Sequence, residues 1–292
     1  MAVYDHGYKR YAGPLTPAAR RFLVLPRFAW EEIFRSRLLT AFFTLACLVP
    51  VGFAVAIYLR HNLSALAFLE VRVDELVAID ARFFRFFLGL QTGFAFLFAA
   101  FVGPALIAPD LAHNALPLYL SRPFSRAEYV LGKLATLALL LSAVTWIPGL
   151  LLFAFQSYLA GGGWMAAHAR FAGAMLLGGL LWVLLVSLLA LAVSAWVRWR
   201  PVATALFFGV WMVGTGFGNA IVHIFDTRWG ALLSLTDLFE TVWAGLFGGE
   251  PWINAVADRP LPFGAAWAAL LTVCGLCLLL LGRKIRAYEV VR

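Results

Sequence analysis

Stretches without a single Asp, Glu, Lys or Arg dominate this chain. They are Leu38–Leu59, Phe86–Ala108, Leu134–Tyr158, Phe171–Val197, Val202–Phe225 and Gly264–Gly282. About 20 apolar residues in a helix cross a hydrocarbon layer of roughly 30 Å, so each run predicts one spanning helix. Pro50, Pro104 and Pro148 fall inside runs and predict kinks rather than helix ends. Before the first run, Trp30, Ile33, Phe34 and Leu38 recur at helical spacing, while Glu31, Glu32, Arg35 and Arg37 take the opposite face. That pattern predicts an amphipathic helix lying in the membrane interface, with the first turns of a long span as the alternative. Between the fifth and sixth runs, Leu235, Leu238, Phe239, Val242, Trp243, Leu246 and Phe247 keep a helical period. Asp237 and Glu240 exclude a seventh full span, because a charge at mid-bilayer costs about 2.5–3.5 kcal/mol. A re-entrant or interfacial outer helix is expected there.

One polar interruption carries most of the helix punctuation: Asp110–Lys133, DLAHNALPLYLSRPFSRAEYVLGK. Ser125 and Glu128 form an S-x-x-E capping box, and Phe124 before the cap is spaced to pack on Tyr129 as a hydrophobic staple. Pro123 stops any helix approaching from the other side. A helix is therefore expected to start at Ser125 and run into the third span. The short stretch 159–170, with Gly161, Gly162 and Gly163, is expected as an outer loop, and 60–85 and 226–263 as longer ones.

Composition agrees with this pattern. The 292 residues are 63% hydrophobic and 13% charged, which excludes an ordinary soluble domain. The fold class expected is an all-α membrane protein with six transmembrane helices. The formal net charge of +8 is read by side of the membrane before nucleic acid is invoked, and no nucleic-acid partner is expected. The N-terminus, the 109–133 segment, the 198–201 turn and the C-terminus together hold sixteen Lys and Arg; the intervening loops hold seven. Both termini are thus expected to be cytoplasmic. The domain reading is a single transmembrane unit over 1–292: a cytoplasmic tail and interfacial helix over 1–37, a six-span bundle over 38–282, and a cytoplasmic tail over 283–292. The polar, basic start has no cleavage-like site, so the first span is expected to act as an uncleaved insertion signal. Cys47, Cys274 and Cys277 all lie in apolar runs, so no disulfide framework is implied, and Cys274 and Cys277 of the C-x-x-C read as small packing residues in a spanning helix.

Chemistry is scarce. The runs hold no ionisable acid or base beyond His223, which argues against proton-driven transport. His223 and Asp226 stand at i, i+3, but a metal site wants three or more ligands. There is no H-E-x-x-H and no G-x-S-x-G. Gly132-Lys133 is followed by Leu134, and the earlier P-loop glycine position is Ala127, so this chain has no P-loop. Gly89 and Gly93 form a GxxxG, and Gly214, Gly216 and Gly218 a GTGFG; both suit close helix approach, within the bundle or between copies.

Over Leu116–Lys133, LPLYLSRPFSRAEYVLGK, the sequence resembles the permease subunits of type-two ABC exporters. In those, a run of the form L-Y-L-S-R-P-x-S-R-x-E-Y-x-x-G-K follows the second span. The architecture agrees over essentially the whole chain. The importer-type E-A-A-x-x-x-G signature is absent, since Tyr129 and Val130 follow Glu128. The resemblance implies a half-transporter in the cytoplasmic (inner) membrane, in contact with membrane lipid. It pairs with a second copy or a related permease. Each permease docks a separate nucleotide-binding ATPase, which binds the ATP and Mg; no cofactor is expected in this chain. The segment around Asp110–Leu120 is then the cytoplasmic coupling helix between spans two and three. His113, Asn114, Tyr119, Arg122 and Arg126 are its expected ATPase contacts, and Phe124, Ser125, Glu128 and Tyr129 the helix cap behind it. A non-transporting membrane scaffold or assembly subunit is the alternative from another class, ahead of an intramembrane enzyme.

Overall fold

The computed structural model describes residues 17–62, 78–115, 119, 125–252 and 260–287. Among the described residues, all regular structure is helical. In chain order the helices are α1 (Val24–Arg35), α2 (Arg37–His61), α3 (Ala81–Ala112), α4 (Arg126–Val144), α5 (Trp146–Ala160), α6 (Gly162–Trp196), α7 (Arg200–Phe225), α8 (Leu235–Phe247) and α9 (Phe263–Ala287). Short 3-10 segments cover Ala18–Leu23 and Arg228–Leu233. Six helical stretches are long and apolar enough to cross a membrane: α2, α3, α4 with α5, α6, α7 and α9. They contain the six charge-free runs except for Val197, which lies just past the end of α6, and helix outlasts the apolar core at most ends.

Helices α3 and α6 form the centre. About 61% and 78% of their apolar windows are buried, against 11% for α2 and for α7, which form the rim. The close crossing of α3 and α6 depends on Gly103, where a Cβ would stand 2.6 Å from that of Ala190. Helix α1 lies along α4. Gly132 lets it approach, for a Cβ there would meet Leu25 and the Phe22 carbonyl. The Trp30 indole N–H donates to the Thr136 main-chain oxygen at 3.1 Å.

Pro50 and Pro104 remain inside continuous helices, as expected. A proline has no N–H to give the carbonyl four residues back, which must find another donor. The two oxygens so orphaned are those of Ala46 and Ala100. Gln91 Nε2 donates to the first at 3.0 Å, and the Thr204 hydroxyl to the second at 3.1 Å. The Ser194 hydroxyl accepts from the Ala108 N–H at 3.0 Å and donates to the Pro104 oxygen at 3.2 Å, bridging the next rung. The mild polar groups of the spans thus repair proline-damaged helices. The third span behaves differently. Its break is at Thr145 (φ −97°, ψ −94°), and Pro148 sits in the first turn of α5, where its missing N–H costs nothing.

The expected outer loop at 159–170 is reduced to one residue. Gly161 adopts φ +88°, which glycine allows freely, and α6 begins at Gly162. Trp164 and His168 then stack one turn apart within the helix, with ring centroids 4.4 Å apart. The glycines reverse the chain without a linker.

Helix α8 is buried on several faces among α6, α7 and α9. Ser234 caps its start by accepting the Asp237 N–H at 3.2 Å, and Gly248 ends it at φ +78°. The 3-10 segment before it lies on α7 through Gly218 and Gly230; a Cβ on either would reach the other's carbonyl oxygen, at 2.9 Å and 2.7 Å. Gly214, where a Cβ would stand 2.8 Å from the Leu233 carbonyl oxygen, and Gly218 therefore serve packing within this chain, while Gly216 faces open space. Gly89 and Gly93 have no heavy atom within 4 Å of an added Cβ, and their stripe is open. Cys274 and Cys277 are buried in the core.

Candidate functional site

The polar interruption is narrower than its charge pattern suggests. Helix α3 runs through Pro109 and Asp110 to Ala112, so the first part of the interruption is the end of the second span. Asn114 then turns the chain at φ +52°, a left-handed conformation its short amide side chain tolerates. The Ala115 N–H returns to the Asp110 carbonyl at 2.8 Å, and the Tyr119 N–H to Ala115 at 3.2 Å, so Tyr119 is helical. His113 and Asn114 are exposed at this turn. The rest of the expected coupling helix falls on 116–118 and 120. Those residues lie outside the described ones, and with them Arg122, Phe124 and the Phe124–Tyr129 staple.

The cap is as the sequence predicts. The Ser125 N–H donates to Glu128 Oε2 at 2.6 Å, and the Glu128 N–H to Ser125 Oγ at 3.2 Å. Ser125 is exposed, and Arg126 and Glu128 are half-buried.

Sequence reasoning missed what lies beneath. Asp110, at the end of α3, receives two donors from α4 on the same oxygen. The Tyr129 hydroxyl is 2.7 Å from Oδ2 and the Lys133 ammonium 2.8 Å. Tyr129 and Lys133 are i, i+4 and so share one face, and the ammonium also stands 5.5 Å over the Tyr129 ring. Tyr129 is fully buried, and the Lys133 and Asp110 side chains are only 11% and 15% exposed. Tyr119 closes the group, with its ring centroid 5.5 Å from that of Tyr129. Its hydroxyl pKa is pushed up by burial and by the negative charges of Asp110 and Glu32. The polar segment is thereby tied to the end of one span and the start of the next. The signal available in sequence was the pair of opposite charges at the two ends of the interruption. Among the described residues, no three His, Cys, Asp or Glu side chains gather as a metal site would need. His223 and Asp226 are both exposed at the end of α7.

This is an all-helical bundle of six membrane-length helices with a capped junction between its second and third spans. Over residues 28–289 it matches the family described as ABC-2 family transporter protein. The chain belongs to that family. It is the membrane permease component of an ABC transporter, a multi-pass membrane protein of a family whose members are membrane components without their own nucleotide-binding domain. No curated protein matches it. In this ABC-2 permease, the junction joins the segment that resembled the family to the two spans on either side.

At the other end of the bundle, Arg85 in α3 holds α8. It forms an ion pair with Glu240, donates to the Glu250 carbonyl at 2.8 Å, and stacks over Trp252 at 4.4 Å. Arg170 donates from Nε and Nη2 to the Leu246 and Gly245 carbonyls at 2.8 Å and 2.7 Å. A positive charge on the last carbonyls of a helix is favourable there. Both arginines stand just outside the charge-free runs, which is why the sequence reading counted them as loop residues.

Proposed function

We propose that this permease is half of an ATP-driven exporter in the cytoplasmic membrane. Two copies, or this chain and a related one, line the path. Each docks a separate ATPase, which binds ATP and Mg, on the face carrying His113, Asn114, Tyr119, Arg122 and Arg126. Both termini and this segment are cytoplasmic, α1 lies along the interface, and α8 is a re-entrant helix from the outer side. Closure of the ATPase pair pushes the segment, and the push rocks the second and third spans against the rest.

The observation that carries this reading is the convergence of Tyr129 and Lys133 on Asp110. A buried ion pair with an added hydrogen bond resists shear, because separating it leaves charges without partners in a poorly solvating place. Force on Tyr119, packed on Tyr129, therefore reaches both spans instead of bending a loop. The absence of a P-loop in the sequence supports a separate energy source.

The test replaces Tyr119 and Arg122 with Ala and measures ATPase co-purification and stimulated ATP hydrolysis. Loss of both in a normally inserted permease is expected. Unchanged docking would overturn the coupling assignment, and a stable assembly with a non-ATPase partner would favour a scaffold.

A further inference from the structure

A cavity of about 310 Å³ opens among α3, α6, α7 and α8, directly beside the Arg85–Glu240 pair. Its floor is the open stripe of Gly89 and Gly93. No heavy atom lies within 4 Å of a Cβ at either, so the space a side chain would fill is vacant in the fold itself. A GxxxG facing empty volume is not serving helix packing in this chain. The walls are aromatic: Phe96, Trp182, Trp211, Phe239, Trp243 and Trp252. Trp211 gives its indole N–H to the Thr236 hydroxyl at 3.1 Å and lies nearly parallel to Phe239, 9° apart. The polar edge of Trp211 is thus already satisfied.

The charged rim is asymmetric. Arg85 has Nη1 on the Glu250 carbonyl, Nη2 on Glu240, and its guanidinium face on Trp252. Its side chain is 5% exposed, against 16% for Glu240. Among the described residues, the hydrogen bonds that Glu240 accepts, from Arg85 Nη2 and from the Trp252 N–H, both use Oε1. The open part of the ion pair is therefore the carboxylate. An anion entering here would have to displace Arg85 from three partners. A cation needs to displace nothing, and finds Oε2 and tryptophan faces, the strongest of the aromatic cation binders. The volume is at the small end of ligand sites, enough for a charged head and a few rings or a short chain.

We infer that this cavity binds amphipathic organic cations, with the positive head at Glu240 and the apolar body over Gly89 and Gly93. The inference rests on the transporter reading only in treating such cations as cargo; the binding itself does not require it.

The test uses the full chain in lipid nanodiscs, with radiolabelled tetraphenylphosphonium as probe and tetraphenylborate, its anionic isostere, as competitor. Empty nanodiscs correct for partition into lipid. Saturable tetraphenylphosphonium binding is expected, displaced by unlabelled cation and not by tetraphenylborate. Gly93→Leu, which fills vacant space, is expected to weaken it at least tenfold. Glu240→Gln is expected to do the same, and Gly93→Leu decides alone if loss of the Arg85 partner unfolds that variant. Binding that is unsaturable, indifferent to Gly93→Leu, or equally displaced by tetraphenylborate would overturn the inference. ATPase co-purification is measured on the same variants. Absence of saturable cation binding in the unsubstituted chain with docking intact sinks this site alone; loss of docking in the Tyr119 and Arg122 variants with binding intact is no mark against it.

Discussion

Gln91 donates its side-chain amide to the main-chain oxygen of Ala46, 45 residues earlier, at 3.0 Å. Ala46 needs that donor because Pro50 has no N–H to return to it. Gln91→Leu is therefore expected to cost about 1 kcal/mol, near the usual net worth of a hydrogen bond and above the average between spanning helices. Equilibrium unfolding in mixed detergent checks this. In a Pro50→Ala background the Ala46 oxygen regains its helical partner, and the cost of Gln91→Leu should shrink. An equal cost in both backgrounds would mean that Gln91 acts by another route.

The Asp110–Lys133 pair makes a sharper prediction. Removing one partner strands a charge that is nearly buried, and about 3 kcal/mol of stability should be lost in Asp110→Asn or in Lys133→Met. The double variant strands no charge and should recover much of the loss. A double-mutant cycle reads the difference; strict additivity would show that the two side chains are not coupled.

Glycines of similar appearance should differ. At Gly218 a methyl group would stand 2.9 Å from the Gly230 carbonyl oxygen, a backbone atom that yields only if the 3-10 segment shifts. Gly218→Ala is expected to destabilise by about 1–3 kcal/mol, as overpacking does. At Gly89 the same methyl meets nothing, and Ala is the better helix former by up to about 1 kcal/mol. Thermal unfolding of the two variants should move in opposite directions.

Asp237 gives a pH dependence with a definite sign. It is 1% exposed, in the first turn of α8. Burial, with a smaller push from Glu240, raises its pKa from the ordinary 3.8, while the Ser234 hydroxyl opposes them. Below about pH 4 both the folded and unfolded chains hold a neutral acid, and stability is fully present. It is lost as pH rises through the higher folded pKa, because the buried acid must then ionise or hold a proton the unfolded chain has released. Asp237→Asn should abolish this slope and stabilise the protein at neutral pH. Unfolding followed from pH 4 to pH 8 tests it, and a slope that survives the substitution would assign the effect elsewhere.

What the sequence determined by itself was set by short-range physics. A charge-free run long enough to cross the bilayer has nowhere else to go, and all six runs, but for Val197 at the end of the fourth, lie within membrane-length helices. The Ser125–Glu128 box closes within one turn and needs no distant partner. The helix ends were less legible, because Arg85, Asp110 and Arg170 look like loop residues until their partners are known. Those partners were decided only by the tertiary structure: Arg85 meets Glu240 across 155 residues, and Tyr129 and Lys133 meet Asp110 across the interruption. So were the uses of the glycines, for GxxxG and GTGFG both permit close approach, yet one faces a cavity and the other a backbone. Hydropathy fixes which segments leave water, because that free energy belongs to each segment alone. Which buried polar groups find one another depends on how helices distant in sequence pack, and no segment carries that information by itself.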